Sequence, residues 1–149
     1  MMKLSAAGEA FIKGRETLRL TAYKPTPKDK WTIGWGHTGP EVVEGLVWTE
    51  QQAELAFWRD ITPAELGVTR NTDVPLTQNQ FDALVAFTFN VGVEAEAHST
   101  LCKMVNTRNA AGIAAEWLKW DHQDGEVIQG LLNRRKLELA MFQGANSPA

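Results

Sequence analysis

Glu16 is the first side chain placed to do acid–base chemistry. It lies near the end of a stretch from Ser5 to about Arg19 whose apolar positions Ala7, Ala10, Phe11, Ile12 and Leu18 fall mostly at helical spacing, with Ser5 as a possible N-cap. The C-terminal carbonyls of a helix carry partial negative charge, so a carboxylate there is unrewarded. Partial burial would add to that effect, and both would favour the protonated acid, a proton donor. The alternative is a solvated helix-end Glu held ionised by Arg15 and Arg19. Asp29 is the one acidic residue between Thr17 and Gly39, so any second carboxylate from this segment is Asp29. It sits in a loop restricted by Pro25 and Pro27, where a plain turn residue between Lys28 and Lys30 is the competing reading. Thr32 opens a β-prone run and shares a strand face with Gly34. A hydroxyl beside glycines Gly34 and Gly36 leaves room for a water or a sugar.

Other reactive residues are few. Cys102 is the sole cysteine and can make no intramolecular disulfide, and no Cys/His set has zinc-ligand spacing. A buried small hydrophobe is the reading for Cys102, since a Cys nucleophile needs a positioned base and His98 is the one histidine near it. No metal or cofactor is expected. Six tryptophans (31, 35, 48, 58, 117 and 120) are either core or flat apolar faces with a polar N–H for a ligand of mixed character.

The 149 residues carry net charge −3 and 44% hydrophobic side chains, enough for one domain, possibly in two lobes. A mildly acidic balance argues against a dedicated nucleic-acid binder. No apolar run approaches the roughly 20 residues of a membrane-spanning helix, and the opening residues have no apolar core of a signal peptide. Charge is uneven, however. Lys13, Arg15, Arg19, Lys24, Lys28 and Lys30 against Glu16 and Asp29 make a local +4. This is either a solubilising face or a patch that steers the protein onto an anionic polymer.

The elements that must position these side chains follow from local pattern. Leu20 to Trp48 is rich in proline and glycine, with β-prone Trp31-Thr32-Ile33 and Glu41-Val42-Val43 between turns, and reads as a small antiparallel sheet. Beyond Trp48 the chain reads as helical to its end. Thr49-Glu50-Gln51-Gln52 and Thr77-Gln78-Asn79-Gln80 are capping boxes. The first opens a helix through Phe57, Trp58 and Ile61, and Pro63 and Pro75 punctuate a linker. The second opens a helix that is nearly apolar from Ala83 to Phe89, the expected centre of a bundle. Shorter helices are predicted at about 99–106, 109–120 and 130–142. The fold class is α+β.

Glu16, Leu20-Thr21-Ala22-Tyr23 and Trp31-Thr32-Ile33-Gly34-Trp35-Gly36-His37-Thr38-Gly39 resemble the front half of a phage lysozyme, or endolysin (glycoside hydrolase family 24). The block from Leu76 to Gly92, Ser99-Thr100-Leu101, and Gly130-Leu131-Leu132-Asn133-Arg134-Arg135 also fit, so the resemblance spans nearly the whole chain. It departs at Pro25, which stands where the family carries its second acid. The loop to Thr32 is one residue longer, and Asp29 is the stand-in. Val93 to His98 replaces the family's small and aromatic residues, and Thr17 replaces a glycine.

The resemblance implies a single lysozyme-like domain over 1–149: a first lobe of about 1–62 with its sheet at 20–48, a helical lobe of about 76–144, and a frayed tail at 145–149. It implies a muramidase that cuts the β-1,4 bond from N-acetylmuramic acid to N-acetylglucosamine in peptidoglycan. Glu16 would be the general acid. Thr32 and Asp29 would hold the attacking water, which implies single displacement with inversion. Thr38, Phe89 and Asn90 would contact substrate, and His37 would be structural, with Asp73 a possible partner. A monomer is implied, without cofactor or membrane anchor, accumulating in the host cytoplasm. A holin-type pore protein would release it to the periplasm and wall. A lytic transglycosylase would need Glu16 but neither Asp29 nor Thr32, and a non-catalytic wall-binding module would have no need of the acid.

Overall fold

The structure is a computed structural model and describes residues 1–144. The tail expected to fray, 145–149, lies outside the described residues. The chain forms two compact units. One is Ala10–Thr62; the other joins Met1–Glu9 to the chain from Pro63 onward. Among the described residues no helix is long and apolar enough to cross a membrane.

Helix α1 covers Ala6–Arg15. It stops short of the expected Arg19 because Arg19–Tyr23 is already β1, paired with β2, Thr32–Gly34, which pairs in turn with β3, His37–Thr38. The register sets Arg19 opposite Gly34, Tyr23 opposite Thr32, Thr32 opposite Thr38 and Ile33 opposite His37. Glu41-Val42-Val43 is not a strand, contrary to its β-branched composition. Gly39, Pro40 and Gly45 break it into turns, and Val42 N–H closes one on the Gly39 carbonyl at 3.0 Å. The edge of β1 is met instead by 46–48, through Ala22 N–H to Leu46 O at 2.9 Å and Trp48 N–H to Leu20 O at 2.8 Å. Val42 keeps its place in the small core with Ala22 and Ile33, covered by Trp31, Leu46 and Trp48.

Helix α2 covers Glu50–Asn71, and the Thr49–Gln52 capping box forms in both directions, at 2.8 and 3.2 Å. Pro63 lies inside α2, so it is not linker. Proline forfeits one i→i−4 bond in a helix interior, but Ile61, Ala64, Glu65 and Val68 are all buried on this helix, and that burial holds the turn in place.

In the larger unit the Thr77–Gln80 box caps α3, Gln78–Val91, whose residues Phe81 to Thr88 are all buried. This is the central helix that the apolar run predicts. Around it lie α4 (Val93–Ala97), α5 (Thr100–Asn106), α6 (Ala110–Leu118) and α7 (Gln129–Gly144). The amino terminus is fastened by buried acids: Leu4 N–H donates to Glu65 at 2.7 Å and Ser5 N–H to Asp82 at 3.1 Å. The segment after Trp48 is not wholly helical. A hairpin of β4 (His122–Gln123) and β5 (Glu126–Val127) interrupts it. Its turn is Asp124-Gly125, both with positive φ (52° and 82°), as a two-residue type I′ turn requires.

Candidate active site

Glu16 follows the last residue of α1, its N–H bonded back to the Lys13 carbonyl at 3.2 Å. It is half-buried, and its carboxylate lies against the turn between β2 and β3. A Cβ placed on Gly36 would stand 2.9 Å from Glu16 Oε2 and 3.2 Å from Cδ. Gly36 also has φ +80°. Position 36 therefore favours glycine for its backbone, and a side chain there would also push the Glu16 carboxylate from its seat. Gly34 is similar: its φ is +67°, and a Cβ there would meet the Trp48 ring at 3.1 Å. The positions where side chains at 34 and 36 would stand are thus approached by the Trp48 ring and by the Glu16 carboxylate.

Thr32 is buried, and its hydroxyl donates to the Lys30 carbonyl at 3.0 Å. With its proton committed, the oxygen can act only as an acceptor toward a further partner. Directly opposed residues of antiparallel strands project to one face, so Thr32 and Thr38 are neighbours. Asp29 is exposed in the loop. Its N–H donates to the Thr26 carbonyl and its Oδ2 accepts from the Thr26 hydroxyl, both at 3.0 Å, a turn closed on itself. The side chain still borders an open cavity of about 630 Å³ with Trp31, Thr38, Gly39, Lys24 and Lys30. The fold thus gathers Glu16, Asp29, Thr32 and Thr38 around one small sheet within the Ala10–Thr62 unit.

His37 is clamped between carboxylates. Its Nδ1 lies 2.7 Å from Asp60 and its Nε2 2.6 Å from Glu41. Its partner is not Asp73, which lies in the other unit and whose N–H donates to Asn106 at 2.7 Å. A model of the phage lysozyme family matches residues 13–138 of the chain, the span that contains every one of these groups.

The chain belongs to the phage lysozyme family.

Among relatives of this family, it is 44% identical over 142 residues to an endolysin of Bacillus phage PZA, a match covering 95% of this chain and 55% of that endolysin. It therefore spans about half the length of that relative. An endolysin structure from Escherichia coli O157:H7 phage FAHEc1 superposes with a TM-score of 0.88 at 34% identity, covering 99% of this chain and 98% of that one. The muramidase domain of SpmX from Asticaccaulis excentricus gives 0.86 at 36% identity, covering 99% and 100%. The lysozyme-like α+β fold follows from these neighbours.

Phe89 and Asn90, which the phage lysozyme resemblance assigns to substrate binding, lie on the last turn of α3 in the other unit. Phe89 is half-buried, and exposed Asn90 accepts through Oδ1 from the buried Arg135 guanidinium. Cys102 is the inert residue expected: buried, with burial and the nearby Glu96 charge pushing its thiol up to about 11. Lys13 does not belong to a free basic face. Its ammonium is 2.6 Å from Glu54, and its side chain is only 16% exposed. Sequence reasoning missed Lys13–Glu54, Asp60 and Glu41 because each pair joins segments whose approach only the fold sets. Among the described residues no cluster of side chains could hold a metal ion.

Burial alone would lower the His37 pKa, but hydrogen bonds and charge from Glu41 and Asp60 outweigh it, and the pKa is raised above its ordinary 6.5. A group with a raised folded pKa stabilises the fold fully below its unfolded pKa, and the gain is lost as pH rises through the folded value. The Glu41 pKa is lowered by the His37 hydrogen bond, so its contribution is lost as pH falls through the carboxylate range. Asp60→Asn is therefore expected to lower Tm more at pH 5.5 than at pH 9, as calorimetry at the two pH values would measure.

Proposed function

We propose that this chain is an endolysin that hydrolyses the β-1,4 bond between N-acetylmuramic acid and N-acetylglucosamine in bacterial peptidoglycan, by single displacement with inversion, for lysis of the host cell. The observation that carries the reading is the half-buried Glu16 carboxylate seated on the Gly36 turn, in the same unit as the cavity bordered by Asp29 and Thr38. Similarity to phage endolysins and to a muramidase domain supports it.

In this reading Glu16 enters the reaction protonated and donates its proton to the leaving glycosidic oxygen as the bond to the anomeric carbon breaks. A water accepted by Thr32 Oγ and by Asp29 attacks that carbon from the opposite side, and Asp29 takes its proton. Glu16 ends ionised and Asp29 protonated, and exchange with solvent restores both. Inverting enzymes hold their two carboxyl groups about 6.5–9.5 Å apart so that a water fits between them. Thr38, Phe89 and Asn90 serve in substrate contact. The protein acts as a monomer, held in the host cytoplasm until a holin-type pore protein lets it reach the wall.

Digestion of purified peptidoglycan, with products read by mass spectrometry and by the anomeric NMR signal at earliest times, tests the chemistry. Reducing ends first released as the α-anomer are expected; β-anomers would mean retention, and anhydro ends would mean a lytic transglycosylase. Asp29→Asn is expected to reduce kcat by about 10²-fold or more with little change in KM, since a base acts in the transition state. Unchanged kinetics would reduce Asp29 to the turn residue that its Thr26 contacts already make it.

A further inference from the structure

Lys13 sits one helical turn before Glu16, where a surface lysine would be unremarked. Instead its ammonium bonds Glu54 at 2.6 Å, and the other Glu54 oxygen accepts from Trp58 Nε1 at 3.0 Å. The same ammonium lies 4.8 Å from the centre of the Phe57 ring and 5.2 Å from that of Trp35. Cations over aromatic faces are attracted by the ring quadrupole, more strongly when desolvated. Two of these contacts lie on α2; the third, Trp35, lies in the β2–β3 turn. Trp35 immediately precedes Gly36, the residue against which the Glu16 carboxylate rests, with Oε2 2.9 Å from where a Cβ would stand.

We infer that Lys13 is a positioning residue for the Glu16 acid: tied to Glu54 on α2, its ammonium pins the Trp35 ring, and through it holds the Gly36 backbone against the Glu16 carboxylate. This rests on the reading of Glu16 as the general acid. The pieces are short-range and belong to one unit. The Glu54 bond fixes the ammonium, the ammonium faces the ring, and the ring belongs to the turn that carries Gly34 and Gly36 and closes β2 on β3. The charge is needed as well as the stem, because an alkyl chain would contact both rings without anchoring to Glu54.

The test is a kinetic comparison of Lys13→Met, Lys13→Arg, Trp35→Leu and the Lys13→Met/Trp35→Leu double variant, with Glu16→Gln alongside. Lys13→Met is expected to lower kcat about tenfold, since misplacing a reacting group by as little as 1 Å can cost about 10²-fold. KM should stay within about twofold, because Lys13 acts on the position of the acid and not on substrate binding. Lys13→Arg keeps a cation that can stack and pair, and should restore most of kcat. The double variant should lose no more than the worse single variant, because both changes break one chain of contacts. Wild-type kcat in Lys13→Met, or additive losses in the double variant, would overturn the inference. A lowered Tm with unchanged kcat at 25 °C would likewise show a role in stability alone. If Glu16→Gln were active, the reading of Glu16 would fall instead, whatever the Lys13 variants do.

Discussion

Glu16→Gln is expected to fold with wild-type stability and to lose at least about 10²-fold, and up to about 10⁴-fold, of its lytic activity, the range that general acid catalysis contributes. Glutamine is nearly isosteric with glutamic acid, so it can occupy the space left by the absent side chain of Gly36. Its amide cannot deliver a proton to a departing oxygen. The loss should therefore fall on kcat while substrate binding persists, and turbidity clearing of outer-membrane-permeabilised cells would measure it against wild type. Activity within about threefold of wild type would remove Glu16 from the mechanism, because no proton-transfer role is compatible with so small an effect.

The second large effect is on stability. Arg135 and Glu138, on successive turns of α7, are fully buried with Arg135 Nε 3.1 Å from Glu138 Oε1. Glu138 also accepts from Trp117 Nε1 at 3.1 Å and from Arg134 Nε at 3.3 Å. Burial raises the Glu138 pKa and lowers that of Arg135, so the pair's attraction works against its own desolvation. Removing one partner strands the other. Glu138→Ala should lower the unfolding free energy by about 3–5 kcal/mol, the usual result of breaking a buried pair. Replacing both with apolar residues (Arg135→Met with Glu138→Leu) should recover much of that, because the desolvation cost disappears with the charges. Urea denaturation of the three proteins, compared at equal m-value, would show whether this order holds.

Capping and apolar periodicity were the local signals that carried through to the structure. Both capping boxes formed, since a cap requires only side chains three residues apart. The apolar run of α3 marked the buried centre because a helix greasy on every side has to be covered on every side. Two errors came from weighing composition above turn chemistry. Val42 and Val43 look like strand, but the glycines and proline around them decide the backbone. Asp124-Gly125 is a strong two-residue hairpin signal and was passed over between helical segments. Pro63 misled in the opposite direction, because burial on both sides of it outweighs one lost helix bond. Within the candidate site, the placement of Thr32 and Thr38 on paired strands and of Glu16 at the end of α1 was legible from the sequence, while the roles that the resemblance gives them are proposals, that of Glu16 tested by Glu16→Gln. The seating of Glu16 on Gly36, the Asp60 and Glu41 partners of His37, and the Lys13–Glu54 tie were not legible. Each depends on how a turn or a second helix approaches, which a linear pattern does not encode.

The contact between Gly36 and Glu16 also ties together how the two positions can vary. A methyl group at 36 would crowd the carboxylate end of the Glu16 side chain rather than backbone, so it would displace the acid while the lasting cost at 36 is that of its positive φ. While the acid stands at 16, a larger residue at 36 must move that carboxylate aside in addition to bearing the cost of its positive φ. Once a lineage had lost that acid, only the backbone cost would remain, and alanine or asparagine could become established there. The identity of residue 36 and the seat of the carboxylate at 16 are thus coupled, so a change at one is expected to be read in the position of the other.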